Sequence, residues 1–282
     1  MSKKYELTSD TKNGLKRIRA LRDIERFGVK KGDFGGYIKS EKNLSHDGDA
    51  WVHDDARVYG KARVYGDALV SDNARVYGKA SVYENATLSD SASVGDGASV
   101  SGNARVTEYA TVYGNTWIHD SAWVSGNAYM YDSAQVYGDA QVFGEGRVYG
   151  KARVFGHASV SSNAWVHGNA QVYDNAMVSS EASVQGNSRV CGDAWVYGDA
   201  QISGDAYIQA TTDYCTFFHV GSENGTLTAF KDRKGNLLAT RGCFLGTLDE
   251  FEVEVEKNST EQIQKEYAHL IAFIRLRMEG ES

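Results

Sequence analysis

An aliphatic residue stands at every sixth position from Val52 to Ile208 without a break, with Met130 as the one thioether substitute. Each period reads close to Val-Tyr-Gly-Asp-Ala-Xaa, as in Val58-Tyr59-Gly60-Lys61-Ala62-Arg63 and Val136-Tyr137-Gly138-Asp139-Ala140-Gln141. Polarity alternates around each Val. In Ala56-Arg57-Val58-Tyr59 the polar or aromatic residues flank Val58, while small Ala56 returns to its side. That is the period-two logic of a short strand with one buried face. The next two positions, often Gly-Asp, Gly-Asn or Gly-Lys, suit a corner, because Gly and Asn tolerate a positive φ. A strand plus a corner every six residues makes one side of a polygon, so residues 51–209 are expected to wind into stacked coils.

The flanks drop this period. In residues 1–50, Tyr5–Thr8 and Lys16–Leu21 read as strands, with Asn13-Gly14 as the turn between them. Ile38 and Leu44 already stand six apart but two residues out of phase with Val52, which predicts an N-terminal β cap ending in an imperfect coil. In residues 210–282, Cys215–Val220, Thr226–Lys231 and Leu237–Thr240 read as strands, with Asp232–Asn236 as a hairpin loop. Ser259-Thr260-Glu261-Gln262 then has the form of a capping box. Ile263, Tyr267, Leu270, Ile271 and Ile274 follow at helical spacing. This apolar stripe is expected to cover the open end of the coils, with a subunit contact as the alternative. Such ends need covering because they expose an apolar cross-section and unpaired strand edges.

Composition adds little to this picture. The 282 residues contain 30 glycines and no proline, as suits a continuous stack of backbone ladders. A net charge of −7 argues against a general nucleic-acid coat. No stretch approaches the roughly 20 apolar residues of a membrane helix, and the opening residues lack a signal-peptide core. Cys191, Cys215 and Cys243 are too scattered for a disulfide framework or a zinc cluster, so a reducing bacterial cytoplasm is the expected location. No metal or cofactor is expected.

The period resembles that of hexapeptide-repeat proteins, which carry an aliphatic residue at i and a small one at i+4. Here those pairs are Val58/Ala62, Val76/Ala80, Val112/Thr116 and Val196/Ala200. The resemblance implies an all-β, left-handed parallel β-helix of triangular section, on the order of nine coils of about 18 residues. The N-terminal β cap and an α+β C-terminal cap would flank it. A closer resemblance is to YdcK-like members, many of them carried by phages and prophages. The lead-in carries it at Val29-Lys30-Lys31-Gly32-Asp33-Phe34-Gly35-Gly36-Tyr37-Ile38, and the tail at Arg241-Gly242-Cys243-Phe244-Leu245-Gly246-Thr247-Leu248.

Sorted by coil, the residues after each inward aliphatic give the sides different chemistry. One side shows mostly small hydroxyls: Ser71, Ser89, Thr107, Ser125, Ser161 and Ser179. A second carries Tyr59, Tyr77, Gly95, Tyr113, Tyr131 and Tyr149, and a third Tyr65, Tyr83, His119, Tyr137, Phe155 and Tyr173. Two sides therefore carry aromatic ladders and one is nearly smooth. In-register rings stabilise a sheet simply by stacking, yet a contiguous aromatic surface also marks contacts. Arg57, Tyr59 and Lys61 should lie beneath Arg75, Tyr77 and Lys79, a basic and aromatic patch suited to a phosphate and a ring. The corner column Asp54, Asp72, Asp90 and Glu108 lacks any calcium-loop spacing and is read as a solvated acidic edge.

Many hexapeptide-repeat proteins are acyltransferases with a histidine general base, and the candidates here are His119, His157 and His167. No extruded loop interrupts the period, however. Among these candidates His119 alone has an adjacent carboxylate, Asp120, and the two are expected to point apart. The function expected is a non-catalytic phage- or prophage-type scaffold that meets a protein partner or a nucleotide-like ligand through its aromatic sides. The binding candidates are Arg57, Tyr59, Lys61, Arg75, Tyr77, Lys79, Tyr113, Tyr131 and Tyr149. An acyltransferase using acyl-CoA and a nucleotide-sequestering protein are the alternatives, with a homodimer or homotrimer compatible with each.

Overall fold

The computed structural model describes residues 3–279. It is a parallel β-solenoid of about ten turns of about 18 residues, followed by a small antiparallel sheet and two helices. The chain divides into two compact units, Met1–Gly150 and Lys151–Ser282. Every expected aliphatic position is the second residue of a two-residue strand, from Trp51–Val52 to Tyr207–Ile208.

In unit 1 the register is one coil of 18 residues throughout: Arg57 and Val58 pair with Arg75 and Val76, and Trp117 and Ile118 with Gln135 and Val136. The Val and Ala columns are buried, the Val spine being wholly inaccessible at Val58, Val76, Val112 and Val136. Thr116 replaces Ala inside the coil, and its hydroxyl stays satisfied by donating to the Tyr113 carbonyl at 2.6 Å. The first corner residue takes the left-handed conformation, as at Gly60 (φ 68°), Asp72 (58°) and Asp120 (58°).

A non-glycine residue there costs about 1–2 kcal/mol, and the carboxylates offset it. The corner residue's N–H points at the preceding coil, where no ladder carbonyl receives it. Asp72 accepts from the Asp90 N–H at 3.2 Å, Asp90 from the Glu108 N–H at 3.1 Å, and Asp120 from the Gly138 N–H at 3.1 Å. Within the acidic column Asp72 and Asp90 are therefore part of the backbone ladder and not merely a solvated edge, and Asp120 does the same at another corner.

Three N-terminal strands precede the coils: β1 (Tyr5–Lys12), β2 (Leu15–Ala20) and β3 (Phe34–Ile38). They pair antiparallel, and β3 then runs parallel to the first rung of the tyrosine side, Tyr37 against Arg57 and Ile38 against Val58. Leu44 bridges Val64, so Ile38 and Leu44 are two sides of an incomplete first coil.

The ladder has a direction. Each rung donates its N–H groups to carbonyls of the following coil, as Arg57 does to Ala74 and Tyr59 to Val76. The first coil is thus left with orphan carbonyls, and the last with orphan N–H groups. Donors close the first end. The buried Lys4 ammonium bonds the Gly48 and Ala50 carbonyls at 3.2 and 2.7 Å, and the Tyr5 hydroxyl bonds that of Leu44 at 2.8 Å.

Acceptors close the last end, in unit 2. The Thr211 hydroxyl takes the Trp195 N–H at 3.0 Å, the Tyr214 hydroxyl the Tyr197 N–H at 3.2 Å, and the Thr228 hydroxyl the Gln201 N–H at 3.1 Å. The four-stranded antiparallel sheet supplying Tyr214 and Thr228 comprises Tyr214–Val220, Gly225–Lys231, Leu237–Arg241 and Phe244–Thr247. Helices α1 (Leu248–Asn258) and α2 (Glu261–Glu279) follow.

The α2 stripe does not cover the last coil. Tyr267, Ile271 and Ile274 pack with Phe251 of α1 and with Leu227, Ala229 and Ala239 of the sheet. The sheet lies between helices and coil because Thr228 and Thr240 both engage Gln201. Strand Phe244–Thr247 and helix α1 were not legible in the sequence. α1 starts at a capping box on Thr247, whose hydroxyl accepts the Glu250 N–H.

All three cysteines are free thiols. No described helix is long and apolar enough to cross a membrane.

Candidate functional site

In unit 1 the tyrosine side is built as two stacks. Tyr59 and Tyr77 stack at 5.7 Å and 14°. Tyr113 stacks on Tyr131 at 5.6 Å and 11°, and Tyr131 on Tyr149 at 4.6 Å and 6°. The sequence shows a gap between the stacks at Gly95, but the structure fills it. A Cβ at Gly95 would stand 2.2 Å from the Tyr77 ring, so this ring lies directly on the bare glycine backbone. Gly95→Ala is expected to swing the Tyr77 ring outward at a cost of about 1 kcal/mol. A thermal melt paired with a crystal structure checks both.

Sequence reasoning missed Tyr129. The columns that follow each inward aliphatic hold half of the outward positions; the residue before each aliphatic faces outward as well. Tyr129 stands edge-on to Tyr113 at 5.3 Å and 70° and to Tyr131 at 5.8 Å and 62°. Hydrogen bonding to Tyr129, followed by burial, pushes the Tyr113 phenol up to about 12. Tyr129 is 38% exposed and borders an open cleft of about 650 Å³ with Tyr113, Asn127, Tyr131, Glu145 and Arg147.

The same omission makes the hydroxyl-rich side look smooth. Trp123 precedes Val124 and is 41% exposed, beside Phe143, which follows Val142 within the hydroxyl column and is 39% exposed. The Trp123 indole N–H donates to the Thr107 hydroxyl of the previous coil at 3.0 Å. In unit 2, Trp195 bonds Ser179 in the same way at 2.8 Å. A large ring before the aliphatic thus leans diagonally over a small hydroxyl one coil back. Trp123, Ser125, Gln141 and Phe143 border a second cleft of about 350 Å³.

The basic patch is assembled as expected, with Arg57 beside Arg75 and Tyr59 on Tyr77, and with Lys61 and Lys79 exposed at the corners. It also extends into the N-terminal strands. Arg17 pairs in register with Tyr37, and Tyr37 with Arg57. The Arg17 guanidinium lies 5.2 Å from the Phe34 ring and 5.6 Å from the Tyr37 ring. Lys12 sits 5.6 Å over Tyr37 and pairs with Asp55 at 2.7 Å, which holds that carboxyl below its ordinary range. Arg57 Nε is buried without a hydrogen-bond partner.

The histidines are not brought together. His119 belongs to the third side, stacked on Tyr137 at 4.9 Å and 5°. It does not point away from Asp120. Its Nδ1 lies 3.2 Å from the Asp120 carboxylate, because the left-handed corner turns that side chain back. In unit 2, His157 is exposed at a corner, whereas burial lowers the affinity of His167 for a proton. Neither of these two clefts is lined by a histidine. Among the described residues no group of three or more His, Cys, Asp or Glu is placed to hold a metal ion.

The YdcK beta solenoid repeat family matches residues 62–78, 68–84, 98–114 and 170–192. No curated protein sequence matches the chain. A solved structure of Arabidopsis UDP-N-acetylglucosamine acyltransferase is similar over 60% of this chain and 70% of its own. Identity there is 12% and the TM-score 0.33, a likeness that carries no functional argument. The repeat matches and the parallel coils together support a YdcK-like β-solenoid repeat protein.

Proposed function

We propose that the protein is a non-catalytic binding scaffold of the phage or prophage type, with the tyrosine side of unit 1 as its working surface. One observation carries the reading. Tyr77 fills the Gly95 gap, and Tyr129 stands against the lower stack, so this side presents a fixed aromatic surface with a cleft in it. A stack alone is accounted for by ladder stability, at about 0.2–1 kcal/mol per pair. Tyr129 stands outside the stack, exposed, and needs another reason to be there. Rigid tyrosines also give contact area at low conformational cost.

The test compares the intact protein with the double variants Tyr59→Ser/Tyr77→Ser and Tyr113→Ser/Tyr131→Ser. Each is immobilised and exposed to bacterial lysate, and the bound material is quantified. Both variants are expected to melt within a few degrees of the parent, and at least one to lose its bound set. The same set on all three would remove this side from consideration.

A further inference from the structure

We propose that the Tyr129 cleft is a saccharide subsite, taking one pyranose unit of a glycan chain. This rests on the tyrosine side being the working surface and adds the ligand's chemical class.

The lining decides the class. Tyr113, Tyr131 and Tyr149 spend their faces on one another, at interplanar angles of 11° and 6°, so no slot is left between them for a nucleobase. Tyr129 is turned across that stack and keeps part of its surface in solvent. A single fixed ring of this kind matches the apolar face of a pyranose.

Three planar polar groups, Asn127, Glu145 and Arg147, complete the cleft. An amide, a carboxylate and a guanidinium each present adjacent donors or acceptors, as do hydroxyls on neighbouring ring carbons. The charges of Glu145 and Arg147 offset each other. A carboxylate in the lining disfavours a phosphate, and a guanidinium disfavours a cation, whereas a neutral polyol meets both. The cleft is an open trough, which admits a unit within a chain as readily as a chain end.

The test applies the intact protein to a printed glycan array. Cellohexaose, maltohexaose and chitohexaose, all neutral, are then titrated calorimetrically. Binding to at least one glycan is expected, weakened about tenfold or more by Tyr129→Ala and by Glu145→Gln. The melting temperature should hold in both variants, and Tyr83→Ala, on another side, should leave binding unchanged.

Absence of binding to every glycan would overturn the proposal, as would binding indifferent to both cleft substitutions. If Tyr113→Ser/Tyr131→Ser still loses lysate partners in that case, only the saccharide assignment falls. If that variant and Tyr59→Ser/Tyr77→Ser both keep them, the reading of this side falls with it.

Discussion

Replacing Val136 by Asp is expected to lower the stability of unit 1 by about 4–5 kcal/mol, enough to prevent folding at growth temperature. Val136 is wholly inaccessible, beside Ile118 in the aliphatic spine of the preceding coil. An aspartate there loses the transfer energy of the valine and carries a carboxyl with no polar partner. The group would stay protonated instead of ionising, which reduces the penalty without removing it. The control is one residue away. Gln135 faces outward in the same strand, and Gln135→Asp is expected to cost within about 0.5 kcal/mol. Chemical denaturation of the two variants side by side separates the spine from the surface.

The second large effect is at the first coil's open end. Lys4→Met keeps the aliphatic stem but removes the donors to the Gly48 and Ala50 carbonyls. An unsatisfied buried carbonyl costs about 1–3 kcal/mol. Arg22 also reaches Gly48, at 3.0 Å, so Ala50 loses most. The expected loss is about 2–4 kcal/mol in unit 1, read by denaturation or as lost hydrogen-exchange protection near Ala50.

Lys4 also makes this end pH-sensitive. Burial, reinforced by the positive charge of Arg22, lowers its pKa from 10.5 to about 8. Below pH 8 both folded and unfolded chains carry the proton, and the cost of the buried charge is fully present. Above it the folded chain releases the proton first, so stability rises with pH toward 10.5. Tyr5 acts in the opposite sense. Burial raises its pKa above 10, so the unfolded chain ionises first and stability falls beyond that value. Unit 1 is therefore expected to be most stable near pH 10, and Lys4→Met to abolish the rise between 8 and 10.

The spine and the corners were legible because each repeats, whereas the 18-residue coil came with the resemblance to hexapeptide-repeat proteins and not with the six-residue period. A six-residue period with a buried aliphatic admits one register, and any slip would turn Val outward. The lead-in was legible to the extent that Ile38 and Leu44 keep the same spacing. What the period hides is anything set by direction or by diagonal contact. Lys4, Thr211 and Thr228 look like ordinary polar residues until the ladder's polarity shows which end lacks donors and which lacks acceptors.

Tyr129 is hidden from the columns that follow each aliphatic, because it precedes Met130 and those columns hold only half of the outward positions. Gly95 read as a gap because a missing side chain gives no hint that the ring below will occupy its place. The α2 stripe was correctly apolar, but its partner was misassigned. The turn and strands after the last coil supply the acceptors that its open end needs: the hydroxyls of Thr211, Tyr214 and Thr228 and the carboxylate of Asp213, which takes the Gln209 and Ala210 N–H groups. An apolar helix face supplies none. A sequence search for Thr, Ser and Asp clustered just past the last repeat would have marked those acceptors.

Which side works is best asked of the tyrosines themselves. Fluorine NMR of the 3-fluorotyrosine protein, assigned by single Tyr→Phe changes, reads every side of the coils at once while bacterial lysate fractions are added. Shifts or broadening at Tyr113, Tyr129 and Tyr131 are expected, with Tyr65 and Tyr83 unmoved. Perturbation of Tyr65 and Tyr83 alone would contradict the assignment of the working surface.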